Sequence, residues 1–281
     1  MQDLLFFARE AEWMLFGVGA LHRIIHVDGA SVSILNFTIS YGFVEHVNYL
    51  DDQELGGGVY ASNGASVRVG RCIIRNNRAD IGGGLGADMS SALSIYASLV
   101  GENSAVAGGG VGAIDSSQVY IFSEAVIDNN HATELGGGIG MRTYGRLQIS
   151  RNSRITNNRV YANPDDFSGM GTVSPPITEG GGIYISNSLS EISESIIENN
   201  LSEGIDTVFN EHVTLRRGFG GGVHLDSGTL TVLDTELRGN SAATGGSFAI
   251  YAGSDAASGT ISESTVADNI AQNTNVVTFC L

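Results

Sequence analysis

The stretch GGGIGMRTYGRLQISRNSRITNN, residues 136–158, decides the fold. It opens on three glycines and an aliphatic residue, Gly136-Gly137-Gly138-Ile139. It continues through an alternating run, Leu147-Gln148-Ile149, and closes on Ile155 and, three residues later, Asn158. Alternation of apolar and polar residues with period two is strand patterning, not helix patterning. Glycine allows positive φ and close backbone approach where a chain turns sharply. Asparagine tolerates left-handed geometry and can hydrogen-bond to neighbours above and below.

The same marks recur on both sides. The glycine block returns at Gly56-Gly57-Gly58-Val59, Gly82-Gly83-Gly84-Leu85, Gly108-Gly109-Gly110-Val111, Gly180-Gly181-Gly182-Ile183 and Gly220-Gly221-Gly222-Val223, and more weakly at Gly245-Gly246-Ser247-Phe248. The second mark reads Ile74…Asn77, Val100…Asn103, Ile127…Asn130, Ile155…Asn158, Ile197…Asn200, Leu237…Asn240 and Val266…Asn269. An earlier copy, Ile39 to Gly42, carries glycine instead of asparagine. The unit is about 26 residues, the range of solenoid repeats. It has room for about three short strands and none for a helix, so an all-β parallel β-helix is expected. About eight coils would form a rod of roughly 40 Å. Stacked asparagines would make an internal ladder that satisfies buried backbone groups. The aliphatic residue three before each asparagine would form a core stack. Two before that, Cys72, Ser98, Ala125, Ser153, Ser195, Thr235 and Ser264 form a small-residue column, which makes Cys72 a packing residue, not a reactive thiol.

Composition narrows the function classes. The chain has 281 residues, 39 of them glycine and only 3 proline, with 42% hydrophobic residues. All 14 basic residues are arginine, against 30 acidic ones, for a net charge of −16. The absence of lysine removes the P-loop, Schiff-base and Ser-Lys chemistries. The acidity argues against nucleic acid as a partner. Cys72 and Cys280 lie at opposite ends of a linear repeat, so no disulfide is expected. No run approaches the ~18 apolar residues of a membrane span. Residues 1–20 read as a separate amphipathic capping segment with a helix over Asp3 to Phe16. Asp3, Arg9, Glu10 and Glu12 speak against an export signal there. Residues 21–281 then form the solenoid, with inserts at about 43–55, 159–179 and 201–219. Each insert lies between an asparagine mark and the next glycine block, so all three leave one corner of the rod.

The paired marks resemble the polymorphic outer-membrane protein repeat, which joins Gly-Gly-aliphatic to Phe-x-x-Asn. Ile, Val or Leu replaces the Phe here, so the resemblance extends to the broader right-handed β-helix, pectin-lyase-like superfamily, over about Gly29 to Asn269. It implies a surface-displayed or secreted chain of adhesin or passenger type, located at the cell surface, the outer membrane or outside the cell. The superfamily also contains polysaccharide lyases, hydrolases and esterases. Their motifs are missing: there is no Gly-His-Gly and no Arg-x-Pro-x-x-Arg, and the adjacent aspartates fall in inserts. The expected function is a non-catalytic structural and binding module for a glycan or a host or cell-surface protein. The alternative is a lyase or hydrolase acting on acidic polysaccharide. The sequence stops just after an asparagine mark, so a piece of a longer solenoid is expected.

Candidate site residues come from the strand after each glycine block, which borders the insert corner. Its outward positions are Tyr60 and Ser62, Gly86 and Asp88, Gly112 and Ile114, Gly140 and Arg142, Tyr184 and Ser186, and His224 and Asp226. The last rows would bring Arg142, Tyr184, His224 and Asp226 onto one exposed face, with Arg216 and Arg217 ending the adjacent insert. Such a set could bind an acidic sugar, and His224 with Asp226 could serve as acid or base. Solvated surface is the plain reading of the same residues. Calcium could use the carboxylates of Asp51, Asp52 and Glu54 or of Asp165 and Asp166, although the nine-residue calcium repeat is absent. No other cofactor is expected, since the six histidines lack metal-ligand spacing. The glycosylation sequons at Asn36 and Asn200 fall in a strand and on the ladder, and are discounted.

Overall fold

The computed structural model describes residues 4–7, 13–16, 22–44, 54–161, 177–204, 207–209, 212–214, 218–251 and 256–272. Among these residues no helix occurs, and parallel strands stack into four long sheets. Following the chain from each glycine block, sheet one takes strands such as Leu85–Ala87, Val111–Ala113, Ile139–Met141, Ile183–Ile185 and Val223–Leu225. Sheet two takes Ala92–Tyr96, Gln118–Phe122 and Arg146–Ile149, and sheet three takes Leu99–Gly101, Val126–Asp128 and Arg154–Thr156. Sheet four follows the ladder asparagine, with Ser104–Ala107, His131–Leu135 and Arg159–Tyr161. The expected parallel β-helix is therefore present, with a fourth short strand per rung where three were expected. Its register sets like on like: Val111 faces Leu85 and Ile139, and Ile127 faces Val100 and Ile155.

The expected N-terminal helix over 3–16 is not formed. Leu4–Phe7 and Trp13–Phe16 are strands, paired in parallel with Ser31–Leu35 and Phe37–Ser40 in sheets two and three. Four-residue apolar runs fit a strand or a helix equally by periodicity alone. The open edge of an existing sheet decides between them here by offering a full set of backbone partners.

The two sequence marks touch each other in space. Each ladder asparagine donates from Nδ2 to the Oδ1 of the next: Asn77 to Asn103, Asn103 to Asn130, Asn130 to Asn158, each at 3.0 Å. The run continues through Asn200 and Asn240 to Asn269. The same Nδ2 groups donate to the carbonyl of the core aliphatic residue one rung back, Ile74 for Asn103 and Val100 for Asn130. The ladder residue does not itself take the left-handed conformation. Its predecessor does, at Asn76, Glu102, Asn129, Asn157 and Asn199. Gly42 closes the ladder by donating its backbone N–H to Asn77 Oδ1 at 2.8 Å. In the triplet, Gly136 takes φ of 61°. A Cβ on Gly137 would lie 2.4 Å from the Gly181 carbonyl oxygen, and one on Gly138 would lie 2.9 Å from the Asn158 amide. One glycine is needed for its dihedral angle and two for close approach, so the ladder and the triplet recur together.

The interior is aliphatic. Ile39, Ile74, Val100, Ile127, Ile155, Ile197 and Leu237 are wholly buried in one stack. From Cys72 to Thr235 the small-residue column is buried beside it, and Ser98 Oγ accepts from the Cys72 backbone N–H at 3.0 Å. Burial pushes the Cys72 thiol pKa above its ordinary value.

Candidate functional site

The corner where sheet four turns into sheet one holds Tyr184 and His224, with Glu54 at its edge. Its side chains project away from the main core, yet the corner is closed. The residue before each glycine triplet folds over the second residue of sheet one. Leu55, Ile81 and Ala107 form a second small core there, packed with Tyr60, Ile114 and Leu135. A Cβ on Gly112 would lie 2.5 Å from Ile81 Cγ2, and one on Gly86 would lie 2.9 Å from Leu55 Cβ. The exposed face expected on this strand is thus corrected: Tyr184 is 6% exposed and His224 is 1% exposed.

Three rungs carry inserts, and all three break sheet four at the same place. Phe43 and Leu55 bridge to Arg78 and Ile81 on either side of the first. His131 and Leu135 pair with Arg159 and Glu179 across the second. Tyr161 and Glu179 pair with Glu203 and Phe219 across the third. The third contains an antiparallel pair, Thr207–Phe209 with His212–Thr214. In these rungs the second residue of sheet one is Tyr60, Tyr184 or His224, whereas the rungs between have Gly86, Gly112 and Gly140. Large polar rings stand at the roots of the three inserts, and His26 takes the same position one rung before Tyr60.

At the C-terminal roots, Tyr184 and His224 stack with centroids 5.8 Å apart, and Phe219 meets His224 edge-on at 6.0 Å. Glu179 Oε1 lies 3.9 Å from His224 Nε2. Neither ring nitrogen of His224 has a hydrogen-bond partner among the described residues. Burial lowers the His224 pKa to about 4, against a smaller upward pull from Asp226. Burial, then the Asp226 charge, raises the Glu179 pKa to about 7. At neutral pH the imidazole is uncharged, so its approach to Glu179 is not an ion pair. Burial, with Asp226 and Glu179, pushes Tyr184 up to about 12, and Arg142 acts weakly against the rise. Asp226 is held by Ser186 Oγ, which donates to Oδ2 at 3.0 Å.

The N-terminal root is built differently. Tyr60 donates to Asp88 Oδ2 at 2.7 Å, and burial is the main reason the Asp88 pKa is raised. His26 stacks on Tyr60 at 4.6 Å and its Nε2 lies 2.8 Å from Ser62 Oγ. The Arg23 guanidinium sits 4.7 Å from the Tyr60 ring centroid and pairs with Glu54. Glu54, a calcium candidate, is therefore taken up by an arginine.

The structure brings together Tyr184, His224 and Asp226, with Arg142 nearby. Arg216, Arg217, Asp51, Asp52, Asp165 and Asp166 lie outside the described residues. No cluster of three or more metal-ligating side chains occurs among the described residues. Asp88 is one of the outward positions named from the sequence; Arg23 was not anticipated, and neither were Glu179 and Phe219. The signal for them was the column before each triplet, Leu55, Ile81, Ala107 and Leu135, which turns polar only at Glu179 before Phe219. No helix of the described residues is long and apolar enough to cross a membrane. No known protein family, no characterised protein and no solved structure matches this chain.

Proposed function

We propose that the chain is a non-catalytic recognition rod, a right-handed β-helix of about eight coils displayed at a cell surface or secreted, whose partner is a glycan or a surface protein. One observation carries the reading: the inserts leave sheet four at one place in three rungs, and each has a large polar ring braced at its root. Loops held on one side of a rigid solenoid are the usual recognition elements of such folds. The polar groups at the corner are buried, so they support loops better than they reach a substrate. The resemblance to the polymorphic outer-membrane and pectin-lyase-like group supports the same reading. The test is a glycan and protein-partner binding screen run beside an activity assay on acidic polysaccharides, with and without calcium. Binding without turnover is expected.

A lyase or hydrolase is the second reading, and Glu179 favours it. A carboxyl raised to about 7 beside a second carboxylate, Asp226, is the arrangement of a general acid with a charged partner. New reducing or unsaturated ends that disappear in both Glu179→Gln and Asp226→Ala would replace the first reading with this one.

A further inference from the structure

The two kinds of insert root differ in charge balance. At the N-terminal root a cation is built in: Arg23 pairs with Glu54 and lies against the Tyr60 ring. At the C-terminal roots the carboxyl groups stand without one. Asp226 acts on Glu179 strongly enough to help raise its carboxyl. No arginine pairs with either residue among the described residues. Of the charged groups acting on Glu179, Tyr184 and His224, Arg142 is the one described cation, and it acts on Tyr184 alone.

His224 adds a second demand. Its side chain is 1% exposed, and neither ring nitrogen has a hydrogen-bond partner among the described residues. A neutral imidazole keeps one acceptor nitrogen, and a buried acceptor left unpaired is costly. Nε2 lies 3.9 Å from Glu179 Oε1. That is too long for a hydrogen bond between the two, but one nitrogen about 2.9 Å from each can donate to both. The floor of the corner is closed and its rim is open. The Glu179 side chain is 19% exposed, and Phe219 and Asp226 are half-buried.

The donor that suits this place is a compact cation on a thin stem. An ammonium carries three N–H groups at the end of the flexible lysine chain. It can pass the rim and meet two acceptors at once. An amino group fixed to a sugar ring would have to bring the ring in with it. The Tyr184 and Phe219 rings beside His224 favour a cation further. The chain has no lysine of its own, and its net charge of −16 steers a basic partner towards it.

We infer that the corner of Glu179, His224 and Asp226 receives a lysine side chain of a partner protein, whose ammonium donates to Glu179 and to His224 Nε2 while Asp226 adds a second negative charge. This inference rests on the recognition reading and names what the partner presents.

The test uses the full chain and isothermal titration with an end-blocked pentalysine peptide, against the same peptide acetylated on every Nζ. The acetylated peptide should bind about tenfold more weakly or worse. Glu179→Gln keeps the shape and removes the charge, and should weaken pentalysine binding about tenfold. His224→Phe keeps a ring beside Tyr184 and Phe219 but removes the acceptor, and should weaken it several-fold. Glu191→Gln removes the same charge from sheet two and should bind as the parent does. Proton release separates this site from general attraction to an acidic surface. Glu179 is held at about 7 and must ionise to pair with the ammonium. At about pH 6.5 the parent should therefore release protons on binding, read as different apparent heats in phosphate and in Tris, and Glu179→Gln should release none. Equal binding by the parent, Glu179→Gln and His224→Phe, without proton release, would overturn the site, as would no binding of pentalysine to the parent. In both cases the partner screen still decides the recognition reading. A glucosamine hexamer that binds where pentalysine does not, and loses binding in Glu179→Gln, would overturn the lysine assignment in favour of an amino sugar and leave the recognition reading standing.

Discussion

Asn130 shows how much one residue holds in this architecture. Its Nδ2 serves Val100 O and Asn158 Oδ1, and its Oδ1 receives both the backbone N–H and the Nδ2 of Asn103. Asn130→Ala leaves these buried groups unpaired at once, so a loss of about 3–5 kcal/mol is expected in urea unfolding. Leu189→Ala, at a position 53% exposed, should change stability by less than about 0.5 kcal/mol. Glu179 and His224 make a second residue-scale prediction. Glu179 is raised when folded, so its contribution is fully present below its unfolded pKa and lost as pH rises towards 7. His224 is depressed, so its contribution is present above its unfolded pKa and lost as pH falls towards 4. The two slopes oppose one another between about pH 4.5 and 6.5. The parent protein should therefore show a nearly flat stability profile there. Glu179→Gln should lose stability on acidification, and His224→Gln should lose it as pH rises. Parallel profiles for the two variants would refute the assignment.

At the scale of elements, the glycine triplets and the inserts behave oppositely. Gly137→Ala places a methyl 2.4 Å from a backbone oxygen of the next rung, where neither side can yield. Loss of cooperative melting is expected. Gly64→Ala meets nothing within 4 Å and faces only its φ of +73°, so about 1 kcal/mol is expected. Replacing the 162–176 insert by a short link should leave the melting temperature nearly unchanged, since closing a shorter loop costs slightly less and the flanking pairs remain. These elements were not equally legible in the sequence. Triplet, ladder and core stack could be read because each is a local pattern repeated with a fixed spacing. Residues 4–7 and 13–16 could not, because their state is set by the sheet edge they meet. The closed corner was missed because burial there comes from residues on the other side of a turn, Ile81 against Gly112 for example, and not from alternation along one strand. Arg216, Arg217 and the aspartates of the inserts carry no periodic signal at all.

For the whole molecule, contacts run almost entirely between one rung and the next, so stability is close to a sum of rung and neighbour terms. Hydrogen exchange should therefore be graded along the axis. Amides of Ile95, Ile121 and Ile149 lie in wholly buried strands with a rung on each side and should exchange slowest. In the last described rung Val266 is 43% exposed and Ile270 is 57% exposed, so its amides should exchange fastest of the described sheets. Uniform protection along the rod would mean that unfolding is a single concerted event.

The register has one more consequence. Gly82 donates to the Ala107 carbonyl one rung on, and Gly108 donates to Leu135 in the same way. Both ends of the 82–107 segment therefore present equivalent surfaces to whatever follows. A duplicate of that segment, spliced in after Ala107, would meet on each side a neighbour of the kind it already has. The rod would grow by one strand spacing, about 4.8 Å, with no boundary residue redesigned. Length in this protein is an integer quantity that can be edited in whole steps.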